Sequence, residues 1–175
     1  MRFNLIVSTF RNAENNAKGE IFHLLDRLGD SKSKSESVMS GLIVVNTSLD
    51  VFNLIDQLRE LVIDEPWEIH YILRLLPIEI VIPTRLEQLS IEISKLGTKM
   101  KQKDTYRITV EKRQNNLSSW EIISAIAKEI KNKVDLQNPD WTILVETIGQ
   151  YTGISILRQH QIFSSIVEKR DRLTF

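Results

Sequence analysis

Residues 106–130, YRITVEKRQNNLSSWEIISAIAKEI, hold a strand, a charged exit, a polar turn and a helix in one unbroken run. Tyr106, Ile108 and Val110 face one way, and Arg107, Thr109, Glu111 and Arg113 face the other, the period of two of a strand with one covered face. QNNLSS then forms the turn. Ser118 and Glu121 have the spacing of a capping box, and Leu117 and Ile122 that of a hydrophobic staple. The helix is expected to bury Ile123, Ile126, Ala127, Ile130 and Val134. Lys128, Lys131 and Lys133 crowd its C-terminal end, where the helix dipole favours cations.

Downstream, NPD (138–140) turns the chain into Trp141–Ile148, apolar on both faces and therefore expected at the centre of a sheet. The 27 residues between the two strands, 114–140, are long enough for a crossover, so the strands are expected to be parallel. Gly149 and Gly153 bracket a hairpin turn into a returning strand, with Gly153 expected to supply a positive φ there.

Upstream, Phe3, Leu5 and Val7 alternate in an opening strand. Ala17, Ile21, Leu24, Leu25 and Leu28 form one helical face that Gly29 stops. SKSKSES (31–37) reads as a mobile loop carrying Lys32 and Lys34, and GLIVVN (41–46) as a buried strand. Ser48 is placed to cap a helix over 49–63 with Phe52, Ile55, Leu58 and Val62 inward. Residues 68–82 hold two apolar strands separated by Leu76-Pro77, one of them an edge or bent strand. A helix over 85–96 ends at Gly97, and KMKQKD (99–104) is a polar connector.

The predicted architecture is therefore α+β. A ferredoxin-like (split β-α-β) domain occupies residues 1–82, and a second domain of α-β-α-β-β order occupies 83–175.

Composition bounds the function. With 42% hydrophobic and 26% charged residues, the 175-residue chain is of globular type and can bury a core. No apolar run approaches the roughly 20 residues of a membrane span. The absence of cysteine removes disulfides, thiol catalysis and cysteine zinc sites, and fits a reducing cytoplasm. Lys plus Arg number 23 and Asp plus Glu number 23, so the bulk positive charge of many nucleic-acid binders is missing. Cations gathered in one place still steer an anion.

Catalysis has no foothold in the pattern. His23, His70 and His160 are scattered, none in a metal-binding or base–nucleophile spacing. Nucleophile-elbow, phosphate-loop and dinucleotide motifs are missing too. No cofactor or metal site is expected. Lys112-Arg113 stands out because it leads into a helix N-terminus, whose free amides favour anions. Arginine offers phosphate a bidentate fork and lysine a point charge. Trp141 and Tyr151 are candidate base-stacking surfaces, although core packing is the commoner role. The tail EKRDR (168–172) reads as solvated.

YRITVEKRQNNLSSWEIISAIAKEI, NPDWTILVETIG and TGISIL, in this order and spacing, resemble a THUMP domain. YILRLLPIEIVIPT (71–84) is similar to the segment before it in stand-alone THUMP proteins related to the partner of tRNA cytidine acetyltransferase. The resemblance implies an RNA-binding module that holds tRNA for an enzyme. It implies an accessory protein without catalysis of its own, serving cytidine N4-acetylation in the cytoplasm with no membrane partner. The chain ends at Phe175, which leaves no stretch for a fused enzyme domain and agrees with that expectation.

Carried over by position, the RNA-contact residues are Lys112, Arg113, Asn115, Asn116, Gly153 and Ser155, with Arg74 and Arg158 as lesser candidates. Two rivals remain at this stage: a protein scaffold that docks a tRNA-modifying enzyme and touches RNA little, and an unrecognised small enzyme.

Overall fold

A computed structural model describes residues 2–172. The chain opens with β1 (Leu5–Thr9), α1 (Glu14–Arg27), β2 (Lys34–Met39), β3 (Leu42–Asn46), α2 (Val51–Asp64) and β4 (Ile72–Pro77). It continues through β5 (Ile80–Pro83), α3 (Leu86–Leu96), β6 (Thr105–Arg113), α4 (Ser119–Glu129), β7 (Lys133–Val134), β8 (Trp141–Ile148) and β9 (Tyr151–Leu157). It closes with β10 (Phe163–Ser164) and α5 (Ser165–Arg172).

The chain forms two compact units. Arg2–Ile78 and the segment from His160 onward make one, and Glu79–Gln159 makes the other. This differs from the expected division at residues 82 and 83. Ile78 donates its N–H to Asn4, whereas its neighbour Glu79 donates to Ile154, so the changeover falls on one peptide bond. The terminal segment also departs from expectation. β10 pairs with β4, and Glu168 of α5 binds the Arg59 side chain at 2.8 Å.

The first unit has the order β-α-β-β-α-β and an antiparallel sheet in the order β10-β4-β1-β3-β2, the ferredoxin-like topology with one added edge strand. Helices α1 and α2 bury Ile21, Leu25, Leu54 and Leu58 with Leu5, Val7, Val45 and Phe163 of the sheet. Each such side chain contributes about 1.5–3 kcal/mol by leaving water. The SKSKSES segment is not a loop throughout: from Lys34 it is strand β2, paired with β3 at the sheet edge. Asp50, not Ser48, caps α2, accepting from the Asn53 N–H at 2.8 Å. The Ser48 N–H donates instead to the buried Asp30 carboxylate.

The second unit runs α3-β6-α4-β8-β9, preceded by β5, with the two-residue β7 as an added edge. Its sheet order is β5-β9-β8-β6-β7, with β8 central and β6 parallel to it. α3 and α4 cover one face. Leu89, Ile93, Ile122 and Ile126 pack there on Tyr106, Ile143, Val145, Ile154 and Ile156. The buried face of α4 is rotated from the expected one. Ile122, Ile126 and Ile130 point inward, Ala127 is exposed, and Val134 lies beyond the helix and 51% exposed. The hairpin turn uses Gly149, at φ +58°, while Gly153 sits inside β9 opposite Glu146.

Candidate nucleic-acid interface

The end of β6 brings Lys112 and Arg113 to the rim of the second unit, in register with Thr147 and Ile148 of β8. Neighbouring strand residues point to opposite faces, so the two cations cannot grip one phosphate together. Arg113 turns onto the face away from the helices, where its guanidinium donates to Glu146. The Arg113 side chain is 23% exposed and that of Glu146 only 1%. Lys112 stays in solvent, close enough to Glu121 to lower the carboxylate's pKa. The larger cause of that lowering is the Ser118 backbone N–H.

The turn is built from within. Gln114 takes φ +56°, and Asn115 donates through Nδ2 to the Thr147 hydroxyl while its Oδ1 accepts from the Leu117 N–H at 3.1 Å. Ser118 and Glu121 complete the expected capping box, at 3.1 and 2.7 Å. Gly149 donates its N–H to the Arg113 carbonyl at 2.9 Å, and Thr84 donates its own to Gln150 at 2.8 Å. The strand exit, the hairpin turn and the start of α3 thus share one rim. Arg85 and Trp120 belong to this region and escaped the sequence reading. Arg85 is exposed immediately before α3, and Trp120 is 75% exposed in the first turn of α4. The signal for Arg85 was its place after Pro83-Thr84 at a helix start. For Trp120 it was the off-face position in the helical period.

The eight residues singled out by sequence are not one surface. Lys112 and Asn116 are exposed on the rim, with Arg113 and Asn115 framing the turn between them. Gly153 is buried, and Ser155 is fully buried, its Oγ accepting from the Glu79 N–H at 2.9 Å. Neither is open to a ligand. Arg158 is at the opposite end of β8, about seven residues or 23 Å away. There its guanidinium lies 3.9 Å from the centre of the Trp141 ring and donates to the Asp140 carbonyl. Trp141 is thereby a packing residue. Arg74 is exposed on β4 of the first unit, between Ser8 and Ser164.

Charge at the rim is balanced. Residues 111–121 carry Lys112 and Arg113 against Glu111 and Glu121. Among the described residues no group of three or more His, Asp or Glu side chains is arranged to hold a metal ion, and no helix is long and apolar enough to cross a membrane.

Residues 84–157 match the family model of the THUMP domain, so the second unit carries a THUMP domain from the start of α3 to the end of β9. No protein of curated function matches the chain. Several solved structures share its fold, and three of them illustrate it. Protein PH1313 from Pyrococcus horikoshii OT3 superposes with a TM-score of 0.60 at 16% identity, over 93% of this chain and 55% of that one. A 4-thiouridine synthetase in complex with RNA and ATP superposes at 0.58 and 14% identity, over 90% and 42%. TrmN from Thermus thermophilus superposes at 0.54 and 10% identity, over 87% and 44%. The chain spans about half the length of the solved chains it matches.

Proposed function

We propose that this chain is a tRNA-binding accessory protein that presents tRNA to a separate modifying enzyme in the cytoplasm. The observation that carries the reading is the THUMP match over residues 84–157. The fold shared with an RNA-bound 4-thiouridine synthetase supports it. The finer part of the proposal is that the enzyme served is tRNA cytidine acetyltransferase and the reaction cytidine N4-acetylation. Its support is the resemblance of residues 71–84 and the three downstream segments to stand-alone THUMP proteins. A role without catalysis is supported by the scattered histidines: His23 sits in α1 beside Glu68 at 3.7 Å, and His70 and His160 lie elsewhere.

At the rim, Lys112 and Asn116 make the RNA contact, with Arg85 beside them. Arg113 and Asn115 hold the loop in shape. Contact of this kind reads phosphate position and RNA shape, with little base readout.

One observation favours a scaffold as the second reading. An open groove between α3 and α4 is lined by Leu86, Ser90, Ala125 and the exposed Trp120, a surface suited to docking protein.

A gel-shift assay with tRNA, with and without the acetyltransferase, separates the readings. The adaptor binds tRNA alone, and Lys112→Ala weakens that binding. A shift seen only with the enzyme, and indifferent to Lys112→Ala, supports the scaffold and overturns the adaptor.

A further inference from the structure

Two stretches that this reading leaves unused, KMKQKD (99–104) and KNK (131–133), meet at the start of β6. Asn132 joins them, its Nδ2 donating to the carbonyls of Lys101 at 2.7 Å and Asp104 at 2.9 Å. Lys133 pairs with Thr105 in the parallel β6–β7 ladder. The turn is closed on itself as well. The Asp104 carboxylate accepts from the Lys101 N–H at 2.9 Å and from Trp141 Nε1 at 2.8 Å. These bonds gather Lys101, Lys103, Lys131 and Lys133 around one end of β6.

All four lysines are exposed or half-exposed, and none is in an ion pair among the described residues. The acids nearby are Asp104, Asp135 and Asp140, and all three serve the fold. Asp104 is occupied as described, and Asp135 accepts from the Gln137 and Asn138 N–H groups. Asp140 accepts from the Thr105 N–H at 2.8 Å and from its hydroxyl at 3.1 Å. Residues 101–104 and 131–140 therefore carry four lysines against three carboxylates turned to internal donors, a small local excess of positive charge. At the Lys112 rim, by contrast, the charges cancel.

We propose that this lysine cluster is an RNA-contact surface in its own right. It engages the sugar-phosphate backbone of a structured RNA and supplies most of the salt-dependent affinity. The proposal rests on the tRNA-binding reading above. The cluster lies at one end of β6 and Lys112 near the other, about seven residues or 23 Å apart. That exceeds the Debye length of about 8 Å at physiological salt, so the two surfaces act independently and their effects add. Lysine suits the task because it meets a phosphate as a point charge and needs no shaped pocket. A surface that displaces counterions in this way has an affinity that falls steeply with salt.

The test compares the full chain with its Lys101→Gln, Lys103→Gln, Lys131→Gln, Lys133→Gln variant. Fluorescence anisotropy with unfractionated tRNA is measured across a salt series, and circular dichroism checks that the fold is intact. The variant is expected to bind at least tenfold more weakly. The slope of log K against log salt should be shallower by roughly 2 to 4, near 0.9 for each phosphate that is no longer neutralised. Parent and variant with the same affinity and slope overturn the cluster and leave the tRNA-binding reading standing. A parent that binds no tRNA overturns both. Phosphatidylserine vesicles are run alongside. If the lysines are needed for vesicle binding while tRNA binding ignores them, the surface belongs to a membrane and the proposal falls.

Discussion

The Arg113 guanidinium is held by the carboxylate of Glu146, 33 residues further along the chain and 1% exposed. This pairing decides what Arg113 does. An arginine aimed at solvent is a ligand for phosphate, whereas one that neutralises a buried acid is part of the fold. Replacing Arg113 by Ala takes the guanidinium from the buried carboxylate and is expected to cost about 3 kcal/mol. Lys112→Ala, next to it, is expected to stay within about 0.5 kcal/mol. Urea unfolding at neutral pH distinguishes them, and equal midpoints would refute the assignment.

The capping box at the start of α4 fixes where the polar turn ends. Ser118→Ala removes the acceptor of the Glu121 N–H and is expected to cost about 1 kcal/mol, with Ser118→Asp restoring most of it. Thermal melts of the two variants check this.

Asp30 makes acid sensitivity specific. Its buried carboxylate accepts from the Thr47 hydroxyl at 2.5 Å and the Ser48 N–H at 2.7 Å, and these bonds, the Thr47 one first, hold its pKa below the ordinary value. The folded state thus binds this proton less readily than the unfolded chain. The stabilisation is fully present above the unfolded pKa of about 3.9 and is lost as pH falls through the folded value. Asp30→Asn should be less stable at neutral pH and show a shallower decline on acidification. Glu65 and Asp135, also lowered, keep some decline in place. Urea midpoints from about pH 6 to about pH 2 measure it. Parallel curves for parent and variant would contradict the account.

Asn132 tests whether geometry matters at the lysine cluster beyond charge. Asn132→Ala removes two hydrogen bonds and no charge, at a cost of about 1 kcal/mol for each bond. With the turn loosened but all four lysines kept, tRNA binding is expected to weaken several-fold while its salt slope changes less than in the quadruple variant. Binding unchanged from the parent would show that the clamp does not position the lysines.

Much of the second unit was legible because its signals are local. The alternation of Tyr106–Val110, the Ser118/Glu121 spacing and the doubly apolar Trp141–Ile148 each announce their own element. β2 was hidden because an edge strand with exposed faces has no apolar alternation to show: Lys34, Glu36 and Ser37 are all solvent-exposed. The site was less legible than the fold because its charges are settled by partners far off in sequence. Nothing near Arg113 points to Glu146, which lies inside an apolar run. Nothing in KMKQKD or KNK taken alone reveals that Asn132 joins them. Ser155, read as a ligand hydroxyl, serves the Glu79 N–H in the returning strand.

The central claim is that this chain holds tRNA. It is tested most directly by recovering the RNA bound to the protein in its native host and sequencing it. The account predicts strong enrichment of tRNA over other abundant RNAs, reduced when Lys101, Lys103, Lys131 and Lys133 are neutralised. RNA no different from that recovered with an unrelated control protein would contradict it.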